Sequence, residues 1–341
     1  MTRTQRIAAG AALLAVVLAV TAFAWRDRNA YPRLALREPH LALPDPNQAL
    51  HPGADGRPML LVVVENTPQA RPQSGLADAC LVYAMPTEAR ITRFLAAYCG
   101  PRPAAIGPVR SARRFMLELA ADLDAILVHA GSSAEALALI RRERLRVINQ
   151  FWRPGPFWRD PGRPMPHNLY TSYDRLLADL ERAPIATEHR PLPYVFSYEA
   201  AVAPAGGAPA DAVLLDYGPP YAVRYHYDPG QGRYLREQDG RPHLDADGRQ
   251  IAPRAVLVAF VRWTDVWVDG APSSRIDLTG GGRLVVLVGG RLREGTWTRP
   301  PRGPLAFADE AGGPVVLPPG PVWIELFPAD RPVAAGPAPV R

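Results

Sequence analysis

The first apolar stretch, Ile7 to Trp25, carries neither a charge nor a polar face, with Arg3 and Arg6 before it and Arg26 and Arg28 after it. This pattern predicts a segment near the lower length limit for spanning a bilayer as a helix. Ala22-Phe23-Ala24 also fits the small-x-small rule of a signal-peptidase site. Residues 1–25 therefore read as a signal anchor or as a signal peptide cleaved after Ala24, and both readings export the rest of the chain. Prolines interrupt residues 26–57 (Pro32, Pro39, Pro44, Pro46, Pro52), as in an extended tether.

From Met59 the pattern becomes that of a folded domain. Met59 to Glu65 is a continuous apolar run, as in a strand covered on both faces. Cys80–Met85 and Ile91–Tyr98 predict two further strands joined by a short turn. Ser111 to Leu123 predicts a helix with Ser111 as its N-cap. Asp124–His129 follows as a strand, Ala134 to Leu145 as a helix, and residues 173–182 as a last helix. Residues 58–200 thus read as an α/β domain with a mixed sheet and helices. The uncharged AVAPAGGAPA at 201–210 reads as a linker. Short apolar runs at 221–227, 255–261, 284–288 and 321–327 then alternate with Asp-Pro-Gly, Asp-Gly and Gly-Gly-Gly turns, which predicts a β-rich domain over 211–330. Residues 331–341 read as a flexible tail.

Composition narrows the classes. Proline makes up 39 of 341 residues, which excludes long helical bundles. The net charge of +6 is a weak sign of nucleic-acid binding, because the chain has no lysine and its arginines form no single stripe. Codon choice explains such usage, so no nucleic-acid partner is expected. The two cysteines, Cys80 and Cys99, flank the strand pair and are expected to lie close enough for a disulfide. Neither CxxC nor Cys/His ligand spacing occurs, so no metal site is expected, and no cofactor motif is present. Asp245-Ala246-Asp247-Gly248 begins like a calcium loop but continues with Arg249 and lacks a closing Glu, so a turn is expected.

Three motifs carry candidate chemistry. Gly107-Pro108-Val109-Arg110-Ser111-Ala112-Arg113 precedes a helix, where arginines beside free N–H groups favour an anion. His129-Ala130-Gly131-Ser132-Ser133 joins a strand to a helix, where α/β sheets collect ligands. Pro166-His167-Asn168 follows a loop containing Trp152, Arg153, Trp158 and Arg159, side chains suited to carbohydrate or peptide contact. The expected ligand-binding set is Arg110, Ser111, Arg113, His129, Ser132, His167 and Asn168, with Arg110 or Arg113 sharing a pocket with His129. The competing reading is a hydrolase or transferase with His129 or His167 as acid/base and Ser111 or Ser132 as nucleophile. A third is a scaffold for membrane-protein partners. Whether the chain is an enzyme, and its oligomeric state, stay open.

Taken in order, Val64-Glu65-Asn66, Ala70 to Leu76, Ile91-Thr92-Arg93-Phe94, GPVRSAR at 107–113, Asp124 to Gly131 and PHNLY at 166–170 form a set. With Tyr227-Asp228-Pro229, Gly232 to Arg236, Gly295-Thr296-Trp297 and Val322 to Glu325, it resembles the YerB-like family of bacterial envelope lipoproteins. The resemblance spans roughly residues 58–328 and implies two adjacent domains of unknown function in the cell envelope; for a chain so placed the expected partner is an envelope ligand or protein. The family's lipobox Cys is absent, which leaves the apolar helix as the membrane attachment. Ala84 stands where the family often has an acid, whereas Glu88 matches the family's Glu before the ITRF run.

Overall fold

The computed structural model describes residues 57–187, 194–196, 206–268, 270–301 and 303–336, all within one compact unit, Pro46–Arg341. The anchor expected at 1–25, the tether up to residue 56 and the first half of the 201–210 linker lie outside the described residues. Among those described, no helix is long and apolar enough to cross a membrane.

The predicted strands appear as β1 (Leu60–Glu65), β2 (Leu81–Pro86), β3 (Thr92–Ala97) and β4 (Ile126–His129), followed by a short β5 (Val147–Asn149). Helix α1 spans Arg114–Asp122, α2 Ala134–Glu143 and α3 Tyr173–Arg182. Strands β6 (Phe157–Arg159) and β7 (Leu169–Thr171) pair with each other. One sheet runs through both halves of the chain. In ranges its order is 306–309, 291–299, 280–288, 255–268 and 322–328, then β2, β3, β1, β4 and β5. The junction is made by Val322–Pro328, parallel to β2 on one side and to 255–268 on the other. The β-rich half thus extends the sheet begun by the first.

Side-chain alternation gives each strand two apolar faces. Leu61, Val63, Leu95, Leu127, Leu257 and Ile324 point to the face covered by α1 and α2. Leu60, Val62, Val64, Phe94 and Trp323 point to the opposite face, under α3 residues Leu176 and Leu180. On that same side, Val256, Val258 and Val285 pack under a second, five-stranded sheet that supplies Val213, Val223, Tyr225 and Tyr234. Val333–Gly336, in the stretch expected as a tail, pairs antiparallel with Ala212–Leu215 at the edge of this second sheet.

The helix expected from Ser111 starts at Arg114 instead. The reason is upstream pairing: Val109 bridges to Val64, and Ala112 bridges to Ser132. Residues 108–112 therefore extend the sheet and leave Arg113, which makes no side-chain cap, at the helix entry. Helix α2 is capped by Ser133, whose hydroxyl accepts from the Ala136 N–H.

β2 and β3 pair antiparallel with Leu81 opposite Ala97. Cys80 and Cys99, just beyond this pair, are joined by a disulfide with Cα atoms 5.8 Å apart. Substituting both cysteines by Ala should cost about 2 kcal/mol of unfolding free energy, the low end for a short loop already held by a hairpin. Urea unfolding with and without reductant measures this, and equal midpoints would refute it.

Candidate functional site

β1, β4 and β5 run parallel, so their carboxyl ends, Glu65, His129 and Asn149, finish along one edge. Ligands of open α/β sheets bind outside that edge. Here the strands splay and the 108–112 segment enters between them. The Arg110 N–H donates to the Val63 carbonyl (3.0 Å), and the Arg110 carbonyl accepts from the Ala130 N–H (3.0 Å). The GPVRSAR and HAGSS turns thus lie side by side, joined through their backbones.

Their side chains find other partners. Arg110 Nε lies 3.1 Å from Glu65 Oε1 and His167 Nδ1 2.9 Å from the same oxygen, which also accepts from the Thr67 hydroxyl at 2.9 Å. Glu65 is 1% exposed, and its second oxygen, Oε2, has no partner. Arg113 grips Glu88 with two hydrogen bonds, one at 2.8 Å from Nε. Arg93 donates to the same carboxylate at 3.1 Å and to the Ser111 carbonyl at 3.1 Å. Burial alone would raise the Glu88 pKa, but the Arg113 hydrogen bond and the two guanidinium charges outweigh it and hold the carboxyl at about 2. Burial, reinforced by the neighbouring Arg113, lowers Arg93 to about 10.

His129 is fully buried. Its Nδ1 lies 2.6 Å from the Gly131 carbonyl, so Nδ1 carries the hydrogen and Nε2 is left as an acceptor without a partner. Burial lowers its pKa to about 4, against the partial opposition of the Gly131 hydrogen bond. Neither Arg110 nor Arg113 is hydrogen-bonded to this ring, and no hydrogen bond joins Ser111 or Ser132 to either histidine among the described residues. Asn168 braces its own loop: it accepts from Arg159 at 2.7 Å and donates to the Asp160 and Arg163 carbonyls. Trp158 packs between Tyr170 and the Arg175 guanidinium, and Arg153 is tied to Asp179. Asp245 sits in a turn and accepts from the Gly75, Ala77 and Ala246 N–H groups.

The sequence reading passed over Glu65, Glu88, Arg93 and Arg71 as site residues. Arg71 donates to both the side chain and the carbonyl of Asn66 and lies over the Tyr221 ring at 5.4 Å. Behind them runs a buried relay. Arg236 donates to His243 Nδ1 at 2.5 Å, and His243 Nε2–H donates to Gln73 Oε1 at 2.9 Å. Gln73 then donates to the Glu65 carbonyl and to Asn66 Oδ1, and Asn66 donates to Thr92. Because Arg236 can only donate, every later donor and acceptor in the relay is fixed. The second half of the chain therefore orients the residues that carry the site.

Buried polar atoms lacking partners are few in native proteins. Glu65 Oε2, Arg93 Nε, Arg110 Nε (which makes its ion pair with Glu65 without a hydrogen bond), His129 Nε2 and Gln150 Oε1 are such atoms, and all five belong to residues at this strand edge. A cleft of about 450 Å³ also opens beside α1, lined by Arg114, Glu118, Glu135, Arg262 and Arg275 among others. Arg114 there pairs with both Glu118 and Glu135, and Arg275 with Glu135, so its charges largely satisfy one another.

Residues 47–186 match the family model described as the N-terminal domain of a protein of unknown function (DUF3048), and residues 213–324 match its C-terminal domain. A Bacillus subtilis (strain 168) protein described as "Putative lipoprotein YerB" is 32% identical over 275 residues, 78% of this chain and 80% of that one. The chain belongs to the YerB-like family. The crystal structure of the YerB protein from Bacillus subtilis superposes with a TM-score of 0.74 at 29% identity, covering 86% of this chain and 97% of that one. The YerB-like match spans both halves of the continuous sheet, and the strand-edge cluster lies within it.

Proposed function

We propose that this is an exported, membrane-tethered cell-envelope protein that binds an anionic envelope ligand, such as a peptidoglycan fragment, a glycan or a peptide carboxylate, at the carboxyl edge of β1, β4 and β5. The observation that carries this reading is charge at the edge. Three guanidinium groups, of Arg93, Arg110 and Arg113, face two carboxylates, Glu65 and Glu88, and a fourth, of Arg71, is held nearby on Asn66. Arg110 meets Glu65 through Nε, which leaves its two terminal nitrogens for a ligand in bidentate geometry. The envelope location rests on the basic-then-apolar amino terminus and on the lipoprotein description of the Bacillus relative.

Calorimetric titration of the full chain with soluble peptidoglycan fragments tests the ligand. Arg110→Ala should weaken binding about tenfold or more, the loss of a charge-assisted pair worth ~1.4 kcal/mol or above. Binding unchanged by the substitution would remove the assignment. For location, a reporter fused after Arg341 should be active only outside the cytoplasm.

A second reading is an envelope hydrolase or transferase. It is favoured by the contact of His167 with Glu65, since a carboxylate on Nδ1 orients an imidazole and leaves Nε2 to take a proton from water. His167→Gln would then abolish turnover yet preserve binding, whereas equal turnover in both proteins would exclude this role.

A further inference from the structure

The same strand edge carries exposed apolar groups. Phe151 and Trp152, directly beyond β5, are 70% and 50% exposed, and Met165, two residues before His167, is 70% exposed. The Phe151 ring and the Ser111 hydroxyl both lie within 3.8 Å of the point where a Cβ on Gly131 would sit, and Gly131 holds a φ of +73°. A side chain there would be strained and would push on the ring, so glycine keeps the aromatic group beside the 108–112 segment. The strand edge thus brings together the exposed Phe151 ring beside the 108–112 segment, the guanidinium of Arg110 and the unpartnered, buried acceptor Glu65 Oε2.

We propose that the ligand is a carboxylated sugar, a pyranose ring bearing an acid group. This deepens the anionic-ligand reading and rests on it. Each part of such a molecule answers one feature. The carboxylate pairs with the terminal nitrogens of Arg110. A ring hydroxyl donates to Glu65 Oε2, a buried acceptor that a plain anion would leave unsatisfied and would also repel. The C–H face of the pyranose lies on the exposed ring of Phe151, a flat apolar surface beside the 108–112 segment. A simple inorganic anion meets only the first requirement, and a neutral sugar only the other two.

The test uses three probes on the full chain, glucuronate, glucose and acetate, with affinities read by titration calorimetry or NMR line shifts. Glucuronate should bind at least about tenfold tighter than either glucose or acetate. Phe151→Ala, at an exposed position that leaves folding intact, should weaken glucuronate about tenfold without altering acetate. Arg110→Ala should remove both glucuronate and acetate. If acetate binds as tightly as glucuronate and both depend on Arg110, the sugar assignment falls while the anion site stands. If no probe responds to Arg110→Ala, both fall. An unchanged glucuronate affinity in Phe151→Ala also overturns the sugar assignment.

Discussion

Replacing Glu325 by Gln should lower the melting temperature by about 10 °C, the largest single-site loss expected. Glu325 and Arg236 are almost wholly inaccessible, with Arg236 Nε 3.8 Å from Glu325 Oε1. The Tyr217 and Tyr225 hydroxyls donate to the two carboxylate oxygens at 2.8 and 2.5 Å. Burial first, and then the neighbouring Glu325 charge, raise both phenols well above their ordinary pKa, so they remain donors. Gln keeps the volume but removes the charge and turns an N–H group toward one of these hydroxyls. Breaking one side of a buried pair costs about 3–5 kcal/mol, and each kcal/mol moves the melting point by roughly 2–4 °C at this chain size. Circular dichroism melts check the value, and a fall below about 2 °C would show that the pair is not holding the five-stranded sheet to the large one. In a double-mutant cycle with Arg236→Met, the two losses should be far from additive.

Acidification should destabilise the protein well before its carboxylates titrate. His129 has a folded pKa of about 4 against an ordinary 6.5, so between those values the unfolded chain binds the proton more readily. Stability is full above about pH 6.5 and falls as the pH drops towards 4, by roughly 3 kcal/mol from this residue alone. His243 acts in the same direction, lowered by burial and then by the charges of Arg236 and Arg71. Glu88 adds its own loss below its unfolded value of about 4.5, as protonation releases Arg93 and Arg113. Urea unfolding at a series of pH values measures the slope. His129→Gln should flatten it over pH 4–6.5 without removing it, because His243 remains; an identical slope would refute the assignment.

The pattern of apolar residues located most of the central elements of the first half. The runs at Met59, Ile91 and Asp124 each contain the strand expected there, the run at Cys80 contains all of its strand but Pro86, and α3 spans the stretch expected for it. Local pattern could not show that residues 108–112 extend the sheet, because their partners, Val64 and Ser132, lie elsewhere in the chain. β5 is only three residues long, too short to show a period. The candidate site was half legible. Arg110 and His167 stand out as polar residues in loops, and both reach the strand edge. Glu65 ends an apolar run, and Glu325 lies inside one, so periodicity alone gives neither a role. Their meaning depends on Arg110, His167 and Arg236, supplied from distant positions. A buried charge is recognised by its partner, and periodicity contains no information about partners.

The Val322–Pro328 strand also fixes when the molecule can be finished. Until it arrives, β2 has β3 on one side and a bare hydrogen-bonding edge on the other, although Leu81 precedes its partner Val322 by most of the chain. A chain emerging amino-terminus first must keep that apolar edge from pairing with a neighbour through nearly all of its synthesis. A polypeptide stopped before Val322 would keep its disulfide hairpin and the side chains of the arginine cluster, yet would present an open template for aggregation. Completion of the sheet, rather than assembly of the first half, is therefore the event that closes this edge to neighbouring chains.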